Sequence, residues 1–501
     1  MAQRDARMLR WTIGSFAAVL LVAIVASVQL STLGVNFGTL IYASPTLWRG
    51  HDAALRISAI EPGGLRGVES LAAQLVLRDE NGVRWQGSAG GQDFVDVRIP
   101  VPEDLGRFPF LDVVVEAAGG VDRFTLTELE ATDRPPPIAG RVRSDAALLQ
   151  ESYHPPESGY RIVPYPSIGQ TIGSIPNPTT LRITDGGEPA ANLRVRSEAP
   201  QVDARTDALG LVSFSYTPGL PVGPLRLKLG EAPSITAEVP LKIAKTGIWL
   251  DTTPSGFVRP GGTLSVTLRT LPFRGPVHLD VWVGEALLLT TSIRQHERTE
   301  TLEVVLPEDA EGFVRINAYR NFSAPRDSMV STLAFAAAAP PEVAAKQAVA
   351  VLNKLQGHTD AISAAQNATG RARVRLAELA MTRFVPETAG VPRLRATLAS
   401  RRAELEQRKD RLRGHVHTLF LLTVALGLAL VVARVLLHQA RTRRAVQDVV
   451  DEGTRAGEEL DREGLERLGR IRHTLFIWTT LAGALIGVYA IYVLLTRLYW
   501  G

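Results

Sequence analysis

The chain has 501 residues, 45% of them hydrophobic and 21% charged, with a formal net charge of +4. A chain of this length is expected to form more than one domain, and the small net charge gives no reason to expect a nucleic-acid partner. The absence of cysteine excludes disulfides, zinc–thiolate sites, iron–sulfur clusters and thiol nucleophiles. Basic charge is concentrated at residues 1–10 and 393–444, next to apolar stretches, where Lys and Arg meet lipid headgroups.

Residues 11–30 form an uncharged apolar stretch that is long enough to cross a bilayer. Arginines precede it, and no charged residue follows before Arg49, so we predict a transmembrane helix with residues 1–10 in the cytoplasm. A cleaved signal peptide is the alternative, although the apolar core is long and no small-x-small cleavage site is evident. The arginines expected at the lipid headgroups here are Arg4, Arg7 and Arg10.

Residues 31–133 show short alternating stretches separated by turns, which predict a first β-sandwich. Within it, residues 75–85 are typical of a β-hairpin with Asn81 and Gly82 as its turn. About seven strands in this length match an immunoglobulin-like sandwich.

A second sandwich is predicted over residues 134–245, after a proline-rich linker. It opens with an irregular segment, residues 145–178, rich in Tyr, Pro and Gly. This segment is either a partner surface or an excursion that packs on its own domain. The candidate partner-surface residues are Tyr153, Tyr160 and Tyr165.

Residues 206–216 read Thr-Asp-Ala-Leu-Gly followed by an alternating stretch, in which Asp207 can bond the turn backbone and Gly210 can adopt a positive φ. This pattern resembles bacterial Ig-like repeats and macroglobulin-type domains. The third predicted sandwich, residues 246–339, contains the run FVRPGGTLSVTL at 257–268, which resembles a strand opening of alpha-2-macroglobulin MG domains.

The resemblance spans roughly residues 40–337 and implies tandem β-sandwiches, while it says little about function. Complete macroglobulins carry a Cys-x-Glu-Gln thioester and a bait region over a far longer chain. Without cysteine, this chain cannot trap proteases through a thioester.

Residues 340–415 are rich in Ala, Leu, Gln and Arg and predict a helical hairpin or stalk. Helix is expected over residues 342–384, either continuous or interrupted at Gly357 or Gly370. A second helix is expected from about Arg393, packed antiparallel on the first. Charged residues interrupt the leucine repeat of the second helix, so a self-sufficient coiled coil is not expected.

Residues 416–437 predict a second transmembrane helix, 438–473 a cytoplasmic helical loop, 474–496 a third transmembrane helix and 497–501 a short periplasmic tail. The arginine-rich stretch before residue 416 opposes this topology, but long domains translocate largely regardless of charge. The arginines expected to meet headgroups or set the topology are Arg434, Arg441, Arg443 and Arg444.

The third predicted span carries a small-xxx-small face formed by Gly483 and Gly487, which allows close helix packing. Its partner is either another helix of this chain or another protein.

Catalytic motifs are not evident. Residues 296–300 read HERTE, which has Glu300 where a zinc protease would have a second histidine. His415 and His417 are two residues apart, so on a helix they point to different sides. We therefore predict no catalytic residue, no metal, no cofactor and no enzymatic activity.

The predicted fold class is a mainly β ectodomain of tandem Ig-like or MG-like β-sandwiches, with a helical stalk and three transmembrane helices. The predicted function is a structural or interaction protein of the bacterial inner membrane that presents periplasmic domains, as a subunit or scaffold of an envelope complex. Its expected partners are membrane lipids and other envelope or membrane proteins, with neither nucleic acid nor a small-molecule substrate. The alternatives are a transmembrane sensor that relays an outer binding event through the stalk and a thioester-free macroglobulin-like protease binder.

Overall fold

The computed structural model divides the chain into two compact units, one of residues 36–397 and one of residues 1–35 with 398–501. The residues described are 34–62, 67–138, 152–156, 158–219, 223–231, 233–241, 246–254, 256–272, 275–294, 299–320, 329–356, 359–383 and 393–456, with the isolated residues Val25, Arg467, Ile471, Thr474, Leu475, Trp478 and Tyr489.

The described elements are 26 strands and four longer helices. The strands are β1 Gly38–Ala43, β2 Thr46–Trp48, β3 Asp52–Ile60, β4 Leu71–Asp79, β5 Gly82–Gly91, β6 Phe94–Pro100, β7 Phe110–Ala117, β8 Gly120–Leu126, β9 Glu130–Thr132, β10 Tyr160–Pro166, β11 Asn177–Asp185, β12 Glu188–Pro189, β13 Arg194–Ser197, β14 Val202–Arg205, β15 Leu211–Tyr216, β16 Leu225–Leu229, β17 Ile235–Val239, β18 Ile248–Thr253, β19 Phe257–Val258, β20 Thr263–Thr270, β21 Pro276–Val283, β22 Ala286–Arg294, β23 Thr299–Val305, β24 Gly312–Tyr319, β25 Met329–Ala336 and β26 Arg393–Ala396. The helices are α1 Pro341–Gln356, α2 Asp360–Asn367, α3 Gly370–Thr382 and α4 Leu398–Ala456.

The first sandwich consists of two four-stranded sheets with the orders β26-β1-β3-β6 and β5-β4-β7-β8. Strand β4 alternates strictly, so that Leu71, Ala73, Leu75 and Leu77 all face the core. Both sheets contribute to one hydrophobic core, as expected when two sheets bury one face each. The sandwich predicted from residues 31–133 is therefore present, but β26 comes from a distant part of the chain.

The hairpin of β4 and β5 turns one residue earlier than predicted. Asp79 pairs with Gly82, so Glu80 and Asn81 form the turn. The Asp79 carboxylate fixes this position, because Oδ1 accepts the Asn81 N–H at 2.8 Å and Oδ2 accepts the Gly106 N–H at 2.9 Å. The side-chain bond to a neighbouring loop outweighs the local preference of the Asn-Gly pair.

The second sandwich pairs a sheet of β10-β11-β12, in which β15 also pairs with β11, with a sheet of order β14-β13-β16-β17. The turn predicted before β15 is confirmed. Asp207 Oδ1 accepts the N–H groups of Leu209 and Leu211, each at 2.9 Å, and Gly210 has a φ of +72°.

The third sandwich pairs a sheet of order β18-β20-β23 with one of order β19-β25-β24-β21-β22. The run at residues 257–268 forms β19 and β20, with Gly261 at a φ of +69° in the turn between them. Its hydrophobic core also takes in Ile168, Ile172 and Ile175 from the loop between β10 and β11. The second and third sandwiches therefore share buried surface.

The first part of the predicted helical hairpin is interrupted, and its second part begins later than predicted. Residues 341–382 contain the three helices α1, α2 and α3, which pack on one another. Thr359 caps the start of α2, and Gly370, at a φ of +58°, starts α3 at one of the two glycines where the sequence allows an interruption. The second helix does not start at Arg393, because residues 393–396 pair with β1 as a strand and α4 begins at Leu398.

Helix α4 has 59 residues and includes the predicted second span, residues 416–437. The predicted spans 11–30 and 474–496 lie almost entirely outside the described residues, as do several side chains of the second. Over what the structure describes, no helix meets the length and hydropathy needed to cross a membrane. The fold class is thus mainly β with some helix.

We expect Gly210→Ala to lower the free energy of unfolding of the second sandwich strongly. A Cβ at this position would lie 2.2 Å from the carbonyl oxygen of Ile183, in addition to the strain of the left-handed conformation. The matched control is Gly186→Ala, which has a φ of +56° but open space around a Cβ. We expect the control to lose about 1 kcal/mol of the free energy of unfolding and Gly210→Ala to lose more than twice that, measured by urea denaturation. Equal losses would show that the close approach is absent.

Candidate functional site

The two ends of the 36–397 unit meet in a small buried cluster. Strands β1 and β26 pair antiparallel, and just beyond β26 the N–H of Thr397 donates to the Thr39 carbonyl at 3.0 Å. The Asp122 carboxylate accepts both hydroxyls, that of Thr39 at 2.8 Å and that of Thr397 at 2.5 Å. The Thr397 hydroxyl oxygen also accepts the Thr39 N–H at 2.9 Å.

All three side chains are buried, so each polar atom depends on this arrangement. The chain enters the unit at residue 36, next to β1, and leaves it at Thr397, directly before α4. Both covalent connections of the unit therefore emerge at one place on the first sandwich. We call Thr39, Asp122 and Thr397 the threonine clasp.

A second buried polar cluster joins the first and third sandwiches. Arg56 of β3 is buried and forms two hydrogen bonds with Asp96 of the adjacent β6, at 2.6 and 3.1 Å. Its guanidinium also donates to the third sandwich, to the hydroxyl of Tyr319 at 2.8 Å and to the Thr291 carbonyl and Ser292 hydroxyl at 3.1 Å each. A buried charge is tolerated only with such full pairing.

The cluster also shifts the pKa values of its members. Burial raises the pKa of Asp280, which accepts hydrogen bonds from Tyr319 at 2.6 Å and Thr290 at 2.7 Å. Burial would lower the pKa of Arg56, but Tyr319 and the nearby carboxylates outweigh this and raise it. Burial and the Arg56 charge lower the pKa of His278 to about 2, so this imidazole is neutral. The cluster is a fixed charge arrangement that holds two sandwiches in register.

Helices α1, α2 and α3 join the second and third sandwiches. Their apolar side chains share one hydrophobic core with Val163 and Tyr165 of β10 and with Phe313 and Phe335 of the third sandwich. All three sandwiches are thus connected through buried contacts within the 36–397 unit.

The tyrosines predicted as a partner surface do not lie together on an exposed face. Tyr165 is 2% exposed and packs under the helices, with its hydroxyl 3.4 Å from Asp360. Burial, and then the Asp360 charge, raise its pKa. Tyr153 and Tyr160 are half-buried and pack on the core of the second sandwich. Packing on the own domain, the alternative interpretation of this segment, describes Tyr153 and Tyr160, whereas Tyr165 packs with α2 and α3 from another part of the chain.

The predicted headgroup arginines are only partly described. Arg441, Arg443 and Arg444 are exposed on α4, whereas the backbone of Arg434 lies in α4 and its side chain is outside the described set. The predictions for the headgroup arginines and the helix-packing glycines of the other two spans concern residues outside that set: Arg4, Arg7, Arg10, Gly483 and Gly487.

Local sequence patterns do not reveal either buried cluster. Arg56 lies in β3, where apolar and polar residues roughly alternate in the sequence. A charged residue in such a pattern is expected on the face of the sheet that contacts water. Residues 393–396 are too short a segment to predict as a strand from the sequence. They form one because they pair with β1, and a local pattern does not show that partner. Among the residues that the structure describes, no group of three or more His, Asp or Glu side chains is arranged to hold a metal ion.

We expect Thr397→Val to lower the free energy of unfolding by about 2 kcal/mol, because the buried Asp122 loses a donor. The matched control is Thr125→Val, which removes a 2.6 Å bond to Asp112 on the exposed face of the same sandwich. The control should change stability by no more than about 0.5 kcal/mol. Chemical denaturation measures both, and similar effects of the two substitutions would contradict the role of the clasp.

We expect the first and third sandwiches to lose stability as the pH falls, because His278 is buried in its neutral form. The pKa of His278 is about 2 in the folded chain and 6.5, the ordinary value, in the unfolded chain. Its contribution to the free energy of unfolding is therefore fully present above pH 6.5 and is lost as the pH falls towards 2. Between pH 7 and 5.5 the wild type should lose about 1 kcal/mol more than His278→Asn, because the unfolded histidine takes up a proton. Urea denaturation at the two pH values measures this; parallel losses in both proteins would contradict a neutral, buried His278.

Comparisons with known proteins leave the family open. No family model matches the chain, and no curated protein matches it. Among solved structures, an elastase-activated alpha-2-macroglobulin from Escherichia coli aligns at 9% identity and a TM-score of 0.27, covering 60% of this chain and 44% of that one. A mutant alpha-2-macroglobulin from Salmonella aligns at 12% identity and a TM-score of 0.16, covering 62% and 24%. Dimeric latent PorU from Porphyromonas gingivalis aligns at 11% identity and 0.20, covering 60% and 34%.

The chain thus spans less than half of the length of these macroglobulins. All three alignments have identities of 12% or less and TM-scores of 0.27 or less. No family assignment follows for this chain.

Proposed function

We propose that this chain is a non-catalytic scaffold of the bacterial inner membrane that holds three macroglobulin-like or Ig-like sandwiches outside the membrane for binding to other envelope proteins. The observation that carries the proposal is the threonine clasp, because it brings both ends of the 36–397 unit together. A unit with adjacent ends can be anchored on both sides without strain on the unit itself.

The charge and hydropathy of the flanking sequence support the anchoring. Residues 11–30 are uncharged and follow three arginines, and α4 continues through the apolar residues 416–437. Large apolar side chains of α4 are exposed along this stretch. Lipid is the environment in which such exposure is favourable. The side chains that support this interpretation are Leu421, Leu422, Leu426, Leu430, Val432, Leu436 and Leu437.

The buried connections between the sandwiches support the scaffold role. The Arg56 cluster and the helix core fix the three sandwiches relative to one another, so the unit offers partners a surface of constant shape. A preorganised surface loses less entropy on binding than a flexible chain of domains.

A transmembrane sensor is the second candidate, and one observation favours it. Only Thr397 separates β26 from the start of α4, so a displacement of the first sandwich would pass directly into the helix. The sensor requires the 438–473 loop to contact a cytoplasmic partner, whereas the scaffold does not.

We expect cysteine labelling to place residues 1–10 and 438–473 in the cytoplasm. The chain has no cysteine, so single substitutions report without background. In spheroplasts, a membrane-impermeant maleimide should label Ser70→Cys and Gly501→Cys, and should label Gln3→Cys and Ala445→Cys only after lysis. Labelling of Ala445→Cys in intact spheroplasts would contradict the topology, and labelling of none of the four before lysis would contradict external sandwiches.

The scaffold role itself is tested by mild-detergent purification of the tagged full-length protein from native membranes, with mass spectrometry of the proteins that accompany it. Stoichiometric envelope partners that remain after exchange of the 438–473 loop for a neutral linker would support the scaffold. Partners or a cellular phenotype lost on that exchange would favour the sensor. A protein that purifies alone would contradict the scaffold.

A further inference from the structure

Two arginines on the second sandwich face one carboxylate. Arg161 of β10 lies diagonally from Arg182 of β11, since Arg182 pairs with Val163. Arg182 donates to Asp360, the first residue of α2, whereas the nearest guanidinium nitrogen of Arg161 is 3.6 Å from the same carboxylate. Like charges at adjacent positions on one sheet face repel, and one carboxylate neutralises only one of them.

The donors of these two guanidinium groups are largely unused. Within the described part of the chain, Arg161 makes no guanidinium hydrogen bond and Arg182 makes only its bond to Asp360. The Nε atoms of both arginines are buried and have no hydrogen-bond partner there. The Arg182 side chain is 7% exposed and that of Arg161 is 35% exposed, so the cluster is closed on one side and accessible from the other.

Buried guanidinium donors without partners are costly, and an oxyanion satisfies them in a bidentate geometry. We propose that Arg161 and Arg182 form a binding site for an oxyanion group, of the phosphate or carboxylate class, between the second sandwich and α2. Arg161 is the accessible ligand and Arg182 the fixed one, and Asp360 orients Arg182 while it competes with the bound anion. This site is independent of the scaffold role.

The site is tested by isothermal titration calorimetry of the full-length protein in detergent, with inorganic phosphate and, in a second arm, acetate, at constant ionic strength. We expect saturable binding of one anion per chain. Arg161→Gln should weaken it at least tenfold, because a charge-assisted hydrogen bond contributes this much. The matched control, Arg226→Gln, removes an exposed arginine of the same sandwich that pairs with Glu238, and should leave the affinity unchanged.

A second variant separates an anion site from a purely structural ion pair. Asp360→Asn removes the competing charge, so the anion should bind several-fold more tightly if the site is real. Absence of saturable binding, equal affinity of Arg161→Gln and wild type, or weaker binding by a folded Asp360→Asn would each overturn the proposal. Binding lost equally in Arg226→Gln would show general charge attraction and would also overturn it.

Discussion

The architecture depends on the pairing of β1 with β26. These strands are more than 350 residues apart in the chain, and the first sandwich lacks the edge of one sheet until the rest of the unit has folded. Closing such a long loop costs entropy that only many cooperative contacts offset. The clasp of Thr39, Asp122 and Thr397 supplies directional bonds at this closure, which fixes where the chain leaves the unit.

The same logic of buried polar contacts governs the interface between the first and third sandwiches. Two sheets could slide over each other if only apolar groups met, because dispersion and hydrophobic contacts have little directionality. The Arg56 guanidinium removes that freedom, since its donors are satisfied by Asp96 on one side and by Tyr319 and Thr291 on the other only in a single register. In the proposed scaffold, this rigidity would give partners a surface of constant shape, and the proposed site at Arg161 and Arg182 would add recognition of an anionic group.

Local signals predicted much of the β structure. The Thr-Asp-x-x-Gly turn at Gly210 and the strand opening at residues 257–268 depend on short-range hydrogen bonds and backbone preferences, and both form as expected. The predictions failed where distant residues decide. The turn after β4 is displaced by a bond from Asp79 to Gly106, and residues 393–396 form a strand because β1 offers an unpaired edge.

The sequence by itself determined the class of the chain: mainly β, without cysteine, with apolar stretches flanked by arginines, since composition and periodicity act locally. It also determined the alternating faces that become the sandwich cores. Only the tertiary structure decided which polar residues are buried, which helices replace the predicted hairpin and where the two ends of the unit meet. The physical reason is that burial of Arg56, Arg182 and Asp122 depends on partners brought from far along the chain, and no local pattern encodes those partners.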